Sequence, residues 1–225
     1  MRKRLFFLGT IVMLFLTGCI EIIDDLSLNA DGSGSFAYVV NLSSSKIKIN
    51  SILALDSLDG KKVPSVDDIS QQIHRIIDEL QQKEGISNVS FKENYDNYMF
   101  ELKFDFSSLD NLQRAVKEIV LSESEMKEIP ELDHQWLSFT NGVLERSIPQ
   151  ITVQKSKEIN QSDRALLKEG IYVSITRFES EIERFDNTEG VLSKNKRAIM
   201  IRTNPYSLTQ QPQLIDNTIY LAQPD

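Results

Sequence analysis

Few residues of this chain have the types and spacing that catalysis or metal binding requires. The 225 residues include two histidines, His74 and His134, and one cysteine, Cys19. There is no HExxH segment, no GxSxG nucleophile turn and no glycine-rich phosphate loop. A Ser–His–Asp site would have to be assembled from distant parts of the chain. We therefore expect a protein without a cofactor or a metal site, and not an enzyme.

Carboxylates are the other groups that could do chemistry. They form two adjacent pairs and one alternating row: Asp24, Asp25, Asp67, Asp68, Glu179, Glu181 and Glu183. On a strand the three glutamates would share one face, where they could bind Ca²⁺ as a cluster of hard oxygen ligands. A solvated charged face is the favoured interpretation. Asp67 and Asp68 are explained by stabilisation of a helix N-terminus.

The cysteine has a more specific context. Leu16, Thr17 and Gly18 precede Cys19 directly, and this segment resembles the lipobox of bacterial lipoproteins. In that motif small residues precede a cysteine whose sulfur receives diacylglycerol. A lone cysteine cannot form an intramolecular disulfide, which agrees with a thioether-linked lipid. The sequence predicts lipidation of Cys19, and its acyl chains would hold the protein at a membrane.

The residues before Cys19 have the pattern of an export signal. Arg2, Lys3 and Arg4 are followed by residues 5–16, which carry no charge. This run is shorter than the roughly 20 residues that span a bilayer. We predict a signal peptide at residues 1–18 and a single domain at residues 19–225, with a helix-rich subregion at residues 43–130. An ordinary cleaved signal and an uncleaved anchor are the alternatives.

The charge of the chain limits its partners. The formal net charge is −8, and removal of the three basic signal residues would make it −11. Such an acidic surface disfavours nucleic acid and adsorption to anionic lipid, so the lipid on Cys19 would be the attachment to the membrane. Glu21, Asp24 and Asp25 form either a solvated edge of the first strand or an acidic tract like that of surface-exposed lipoproteins. Ile20 is not the aspartate that retains lipoproteins in the inner membrane of enteric bacteria.

Two consequences for location follow from these features. The protein is expected in the cell envelope, and the outer membrane is favoured if the source is Gram-negative. The sequence leaves the membrane leaflet open.

Alternating apolar residues predict the strands of the domain. They fall at residues 22–29, 36–42, 89–91, 98–106, 136–140, 143–146, 171–176, 198–201 and 218–221. The strictest alternation is at residues 98–106. Asn141 and Gly142 form a type I′ hairpin signature between two of these strands.

Helical spacing of apolar residues predicts the remaining elements. Helices are expected at residues 43–55, residues 65–84, from Ser107 or Ser108 to about residue 120, and at residues 161–170. Strands and helices do not alternate regularly. The predicted fold is therefore α+β, with antiparallel sheet packed against two or three amphipathic helices.

Two stretches of the chain resemble LppM-like bacterial lipoproteins. The first runs from Cys19 through a strand and the turn at residues 29–34 into a second alternating strand. The other comprises residues 178–187, the strand near residues 198–201 and the strand that contains Ile219, Tyr220 and Leu221. The resemblance covers about 75 residues and not the helix-rich middle. It implies a tethered α+β domain of the cell envelope with no known catalytic residues.

Three functions remain open at this point. The favoured one is a non-enzymatic envelope lipoprotein that binds a protein partner or serves as an assembly subunit. Another is a module for a lipid or glycolipid ligand, if the apolar sheet face encloses a cavity rather than a filled core. The third is a hydrolase with an unfamiliar site, in which a serine or a carboxylate would meet His74 or His134.

Overall fold

The computed structural model describes residues 20–58, 60–124, 129–148 and 161–222. Its described helices are α1 (Lys46–Leu53), α2 (Val66–Gln81), α3 (Leu109–Ser122), α4 (Gln161–Glu169) and α5 (Pro205–Gln210). The first four confirm the predicted helices, whereas α5 was not predicted. Within the described part of the chain, no helix combines the length and the apolar character needed to cross a bilayer.

The described strands include all nine that alternation predicted. They are β1 (Glu21–Leu28), β2 (Gly34–Asn41), β3 (Ser57–Leu58), β4 (Lys61–Lys62), β5 (Ile86–Asn94), β6 (Met99–Phe106), β7 (Leu137–Thr140), β8 (Val143–Arg146), β9 (Ile171–Phe178), β10 (Ile182–Phe185), β11 (Val191–Leu192), β12 (Ala198–Thr203) and β13 (Asn217–Leu221). The additional strands, β3, β4, β10 and β11, have two to four residues each. Strands this short contain too few residues for a clear alternation of apolar and polar side chains, so they were not predicted.

Local side-chain chemistry explains where the two longest helices begin. The Ser65 hydroxyl accepts from the Asp68 amide at 3.0 Å, and the Asp68 carboxylate accepts from the Ser65 amide at 3.0 Å. This reciprocal pair is a capping box, which satisfies two backbone donors at the start of α2. The Ser108 hydroxyl accepts from the Asn111 amide at 3.2 Å and caps α3.

Two sheets of the described chain carry the fold. The larger sheet has seven strands in the order β11-β12-β9-β1-β2-β6-β5, and the smaller has four in the order β10-β13-β8-β7. Pairing is antiparallel except between β1 and β9, which run parallel in register from Glu21 with Ile171 to Leu28 with Phe178. The turn between β7 and β8 has positive φ angles of 53° at Asn141 and 74° at Gly142. Two such angles are the condition for the predicted type I′ turn.

The core lies between the two sheets and beneath α2 and α3. It contains buried residues of both sheets and both helices: Leu26, Leu28, Leu80, Ile86, Phe104, Phe106, Leu109, Leu112, Ala115, Leu137, Leu144, Phe178, Ile182, Ile199, Ile219 and Leu221. Leu144 of the small sheet and Leu26 of the large sheet are almost completely buried. The described fold is therefore α+β, as predicted, with amphipathic helices packed on a mostly antiparallel sheet.

Candidate functional site

The predicted lipidation site lies outside the described residues. Cys19 and residues 16–18 belong to the part of the chain that the structure does not describe, so lipidation stays a prediction. The described chain begins at Ile20, whose carbonyl oxygen accepts from the Ile171 amide at 2.7 Å. Glu21 pairs with Asn41 across β1 and β2. The attachment point of any lipid would thus adjoin the sheet end where β1 starts.

Among the candidate residues, Asp24 is the one whose interpretation the structure changes most. Along β1, Ile22, Asp24, Leu26 and Leu28 share one face because successive side chains of a strand alternate. Asp24 is 2% exposed, although the sequence suggested a solvated strand edge. That expectation is wrong for Asp24, because β1 lies between β9 and β2 in the middle of the large sheet. Its position in the apolar parity of β1 was the available sequence signal.

Asp24 belongs to a buried polar group that we call the Asp24 cluster, consisting of Asp24, Arg146, Ser174 and Tyr172. The two guanidinium nitrogens Nη1 and Nη2 of Arg146 donate to the two carboxylate oxygens of Asp24 at 3.2 and 3.1 Å. Nη1 of Arg146 also donates to the Ser174 hydroxyl at 2.7 Å, and that hydroxyl donates to Asp24 at 3.0 Å. The Tyr172 hydroxyl donates to the second oxygen of Asp24.

Strand register explains why these side chains meet. Ser174 lies opposite Asp24 in the parallel β1–β9 pair, and Tyr38 lies opposite it in the β1–β2 pair. Arg146 ends β8 in the small sheet, so its side chain joins the two sheets. The strands that carry the Asp24 cluster, β1, β8 and β9, come from widely separated parts of the sequence.

Burial and charge shift the acidities around the cluster. Desolvation raises the pKa of Tyr38 to about 12, and the negative charge of Asp24 adds to the effect. Desolvation and Asp24 likewise raise the pKa of Tyr172. Burial alone would lower the pKa of Arg146, but the Asp24 carboxylate reverses this and the pKa is raised. The tyrosines therefore stay neutral and Arg146 stays charged at ordinary pH.

The arrangement fits a structural role for the Asp24 cluster better than a catalytic one. Asp24 accepts four hydrogen bonds, from Arg146, Ser174 and Tyr172. A carboxylate that is 2% exposed has no open face toward a substrate. A paired and hydrogen-bonded charge is also the form in which burial is tolerated. We conclude that the cluster links the large sheet to the small one.

The half-buried neighbour of Asp24 along β1 has a different partner. Asp25 lies on the opposite face of β1 and accepts from Arg177 of β9 at 2.8 to 3.0 Å. The two acidic residues, which look equivalent in the sequence, thus form a buried and a partly exposed ion pair. Glu21, the remaining member of the predicted acidic tract, accepts from the Asn41 side chain at 3.2 Å.

Both histidines contact a potential catalytic partner. His74 is a surface residue, as predicted, and its Nε2 lies 3.0 Å from the Glu93 carboxylate. Nε2 of His134 contacts the Ser147 hydroxyl. Asp216 is near this pair, because it lines the same surface cleft as Ser147, and burial raises the pKa of its carboxyl group. Its carboxylate, however, accepts from the Ile148 amide at 2.8 Å.

The Ca²⁺ alternative depended on a shared face that the structure does not contain. β10 begins at Ile182, so Glu179 and Glu181 precede the strand and only Glu183 lies in it. The Glu179 carboxylate accepts from the Ala30 amide at 3.4 Å, and that of Glu181 lies 4.0 Å from the Lys196 ammonium. Among the described residues, no group of three His, Cys, Asp or Glu side chains could hold a metal ion.

Comparisons with known proteins give little beyond the fold. No protein-family model matches the chain, and no curated protein sequence matches it significantly. Among solved structures it is similar to the folded domain of the LppM protein of Mycobacterium tuberculosis, determined by NMR. The two share 10% sequence identity and a TM-score of 0.43, over 94% of this chain and 95% of that chain. This is a weak likeness of fold, and it does not establish a family.

Two aromatic residues of β6 are part of the filled core. Phe104 and Phe106 are 4% and 2% exposed and pack among the buried residues of both sheets. Four clefts among the described residues are lined instead by surface residues around Tyr206, Lys83, Asn187 and Lys117. None of the four is lined by the β6 row. The described structure therefore supports the core interpretation of these aromatic residues.

Proposed function

We propose that this protein is a lipid-anchored cell-envelope protein that acts as a non-enzymatic binding or assembly module. The observation that carries the proposal is the sequence Leu16, Thr17, Gly18 and Cys19 after a basic and apolar leader. The ordered domain begins almost at once after it, because β1 starts at Glu21. A lipid on Cys19 would therefore seat the domain close to the bilayer.

The non-enzymatic part of the proposal is supported by how the polar side chains are used. In the most buried ionic group, Asp24 accepts only from Arg146, Ser174 and Tyr172, and its ion pair with Arg146 joins two sheets. The remaining described ion pairs involve at least one partly or largely exposed side chain, as on ordinary protein surfaces. Partner binding is then the function left for a tethered domain of this kind.

Membrane fractionation tests the anchor. Wild-type protein expressed in a bacterial host should incorporate labelled fatty acid and stay with the membrane pellet after a high-salt wash. Cys19→Ala should lose the label and move to the soluble fraction or remain as unprocessed precursor. Ile20→Ala, at the neighbouring position, is the matched control and should behave as wild type. Cys19→Ala protein that stays salt-resistant on membranes as a processed domain would refute the anchor.

Partner binding can be tested on the anchored protein. Cross-linking in intact cells, followed by detergent extraction, should capture the same envelope protein or a second copy of this chain repeatedly. Capture must depend on Cys19, because the anchor sets where the domain meets its partner. Repeated failure to capture either would count against the binding module.

Hydrolysis is the second candidate, and one contact favours it. Nε2 of His134 lies against the Ser147 hydroxyl, with Asp216 nearby. A functional triad also needs the carboxylate to orient the imidazole, whereas Asp216 bonds to the Ile148 amide. A fluorophosphonate probe decides between the functions. Covalent labelling of wild type that Ser147→Ala abolishes would establish a nucleophile and overturn the non-enzymatic proposal.

The lipid-ligand alternative has less support than the binding module. It depends on a cavity beneath the apolar face of the sheet, and Phe104 and Phe106 on that face are packed in the core.

A further inference from the structure

Residues 46–58 form the most apolar exposed segment of the described chain, and we call them the apolar arm. They comprise α1 and the residues up to the end of β3. Helix α1 contains Ile47, Ile49, Ile52 and Leu53, yet none of its residues is buried. Ile47 is 82% exposed, and Leu55 and Leu58 are 46% and 43% exposed. Short helices are marginal in water unless an apolar face is packed, so this segment calls for a covering surface.

The apolar arm lies at the same end of the large sheet as the start of β1. Asn41, the last residue of β2, pairs with Glu21, the first residue of β1. The chain then passes through a short 3-10 turn directly into α1. The Tyr98 hydroxyl, just before β6, donates to Asn50 of α1. The arm is thus held beside the end of the large sheet where β1 starts. The first residue of β1, Glu21, follows Cys19 by two positions in the sequence.

The charge of this region is opposite to that of the protein. Residues 46–62 contain Lys46, Lys48, Lys61 and Lys62 against two aspartates, in a chain of net charge −8. Lys46 and Lys62 are exposed. Exposed aliphatic side chains can be buried at the interface of an anionic bilayer, and exposed lysines are attracted to its headgroups.

We propose that the apolar arm docks on the anionic lipid surface beside the anchor, with Ile47, Leu55 and Leu58 in the interface and Lys46 and Lys62 at the headgroups. This inference rests on the proposed anchor at Cys19, which would place that sheet end at the membrane. It adds a second membrane contact, one that fixes the orientation of the domain. The β1–β2 turn then faces away from the bilayer, since the eight residues of β1 span roughly 25 Å.

Site-directed spin labelling can test the docking directly. Cys19 is the only cysteine and would be blocked by its lipid, so an introduced cysteine is the only free thiol. Ile47→Cys and Leu58→Cys carry the nitroxide on the arm, and exposed Ala30→Cys in the distal turn is the matched control. The full acylated protein is reconstituted into vesicles rich in phosphatidylglycerol. Accessibility to oxygen and to a water-soluble nickel complex is then measured.

The outcomes distinguish whether lipid, water or protein surrounds the arm. High oxygen access with several-fold lower nickel access at positions 47 and 58, but not at 30, is the expected result. Nickel access at 47 and 58 equal to that at 30 would overturn the proposal. Low access to both reagents would place the arm against protein, such as a second copy, and would also overturn it.

Two further readouts complete the test. Lys46→Glu combined with Lys62→Glu should restore nickel access at position 47, and unchanged shielding would refute the attraction to anionic headgroups. Failure of the anchor itself is distinguishable. In that case the protein without an introduced cysteine would take up the label at Cys19 and would not float with the vesicles.

Discussion

Because Asp24 and Arg146 are buried, substitution of either one should change the stability of the domain strongly. Desolvation of each ion is unfavourable by several kcal/mol, and good geometry with further hydrogen bonds is needed to offset it. The Asp24 carboxylate has both, from two guanidinium nitrogens and two hydroxyls. Loss of one partner would leave the other charge buried without compensation.

A double-mutant cycle measures this dependence. Asp24→Leu or Arg146→Met alone should lower the free energy of unfolding by about 3–5 kcal/mol. The double variant should lose about as much as one single variant rather than the sum. It should not return to wild-type stability, because the hydroxyls of Ser174 and Tyr172 lose their acceptor. Urea denaturation of the purified domain provides the measurement.

The neighbouring ion pair is the control for that cycle. Asp25 and Arg177 lie on β1 and β9 of the large sheet, and the Arg177 side chain is 49% exposed. Asp25→Ala should therefore change the free energy of unfolding by at most about 1 kcal/mol. Equal losses for Asp24→Leu and Asp25→Ala, or additive losses in the cycle, would refute the bridging role of the buried pair.

At the scale of elements, the turn between β1 and β2 depends on two glycines for different reasons. Gly32 has a φ of +84°, and a Cβ atom added there would meet no other atom within 4 Å, so only its backbone conformation restricts it. At Gly34 a Cβ atom would collide with the Ser27 carbonyl oxygen and approach the Phe106 ring at 2.7 Å. The first glycine therefore serves the turn, and the second permits the close approach of β2 to its neighbours.

Substitutions at the two glycines should consequently differ. Gly34→Ala should destabilise the domain by about 1–3 kcal/mol or more, since overpacking forces the backbone to shift. Gly32→Asn should be nearly neutral, because asparagine tolerates the left-handed region. Thermal unfolding of both variants checks this, and hydrogen exchange in β1, β2 and β6 would locate the effect. A neutral Gly34→Ala would show that the strands have room to separate.

The elements also show how far sequence reasoning reached. Alternation at residues 98–106 and the capping residues at Ser65 predicted β6 and α2, because both signals are local. The parallel pairing of β1 with β9 joins residues 150 positions apart, as Asp24 and Ser174 illustrate, and no local pattern encodes it. The parity of β1 could have placed Asp24 among the core positions, although we expected it at a solvated edge. No local pattern identifies Arg146 as its partner, because Arg146 lies 122 positions away.

At the scale of the whole molecule, the two sheets share one core and one buried ion pair. β5 and β6 of the predicted helix-rich subregion belong to the same sheet as β1 and β9. Leu144 and Ile219 of the small sheet pack in the same cluster as Leu26 and Phe104 of the large one. This continuity favours a single cooperative unit over separately folding halves.

Equilibrium unfolding can test that cooperativity, which is not automatic for a chain of this size. Trp136, the only tryptophan, immediately precedes β7 and reports on the small sheet, whereas far-ultraviolet circular dichroism reports on both sheets and all helices. The two urea transitions should coincide. Asp24→Asn should shift both midpoints downward together, because the pair it breaks joins the sheets. If the fluorescence of Trp136 changed at a lower urea concentration than the dichroism, the small sheet would unfold on its own. The Asp24 cluster would then attach the small sheet to the large one without coupling their unfolding.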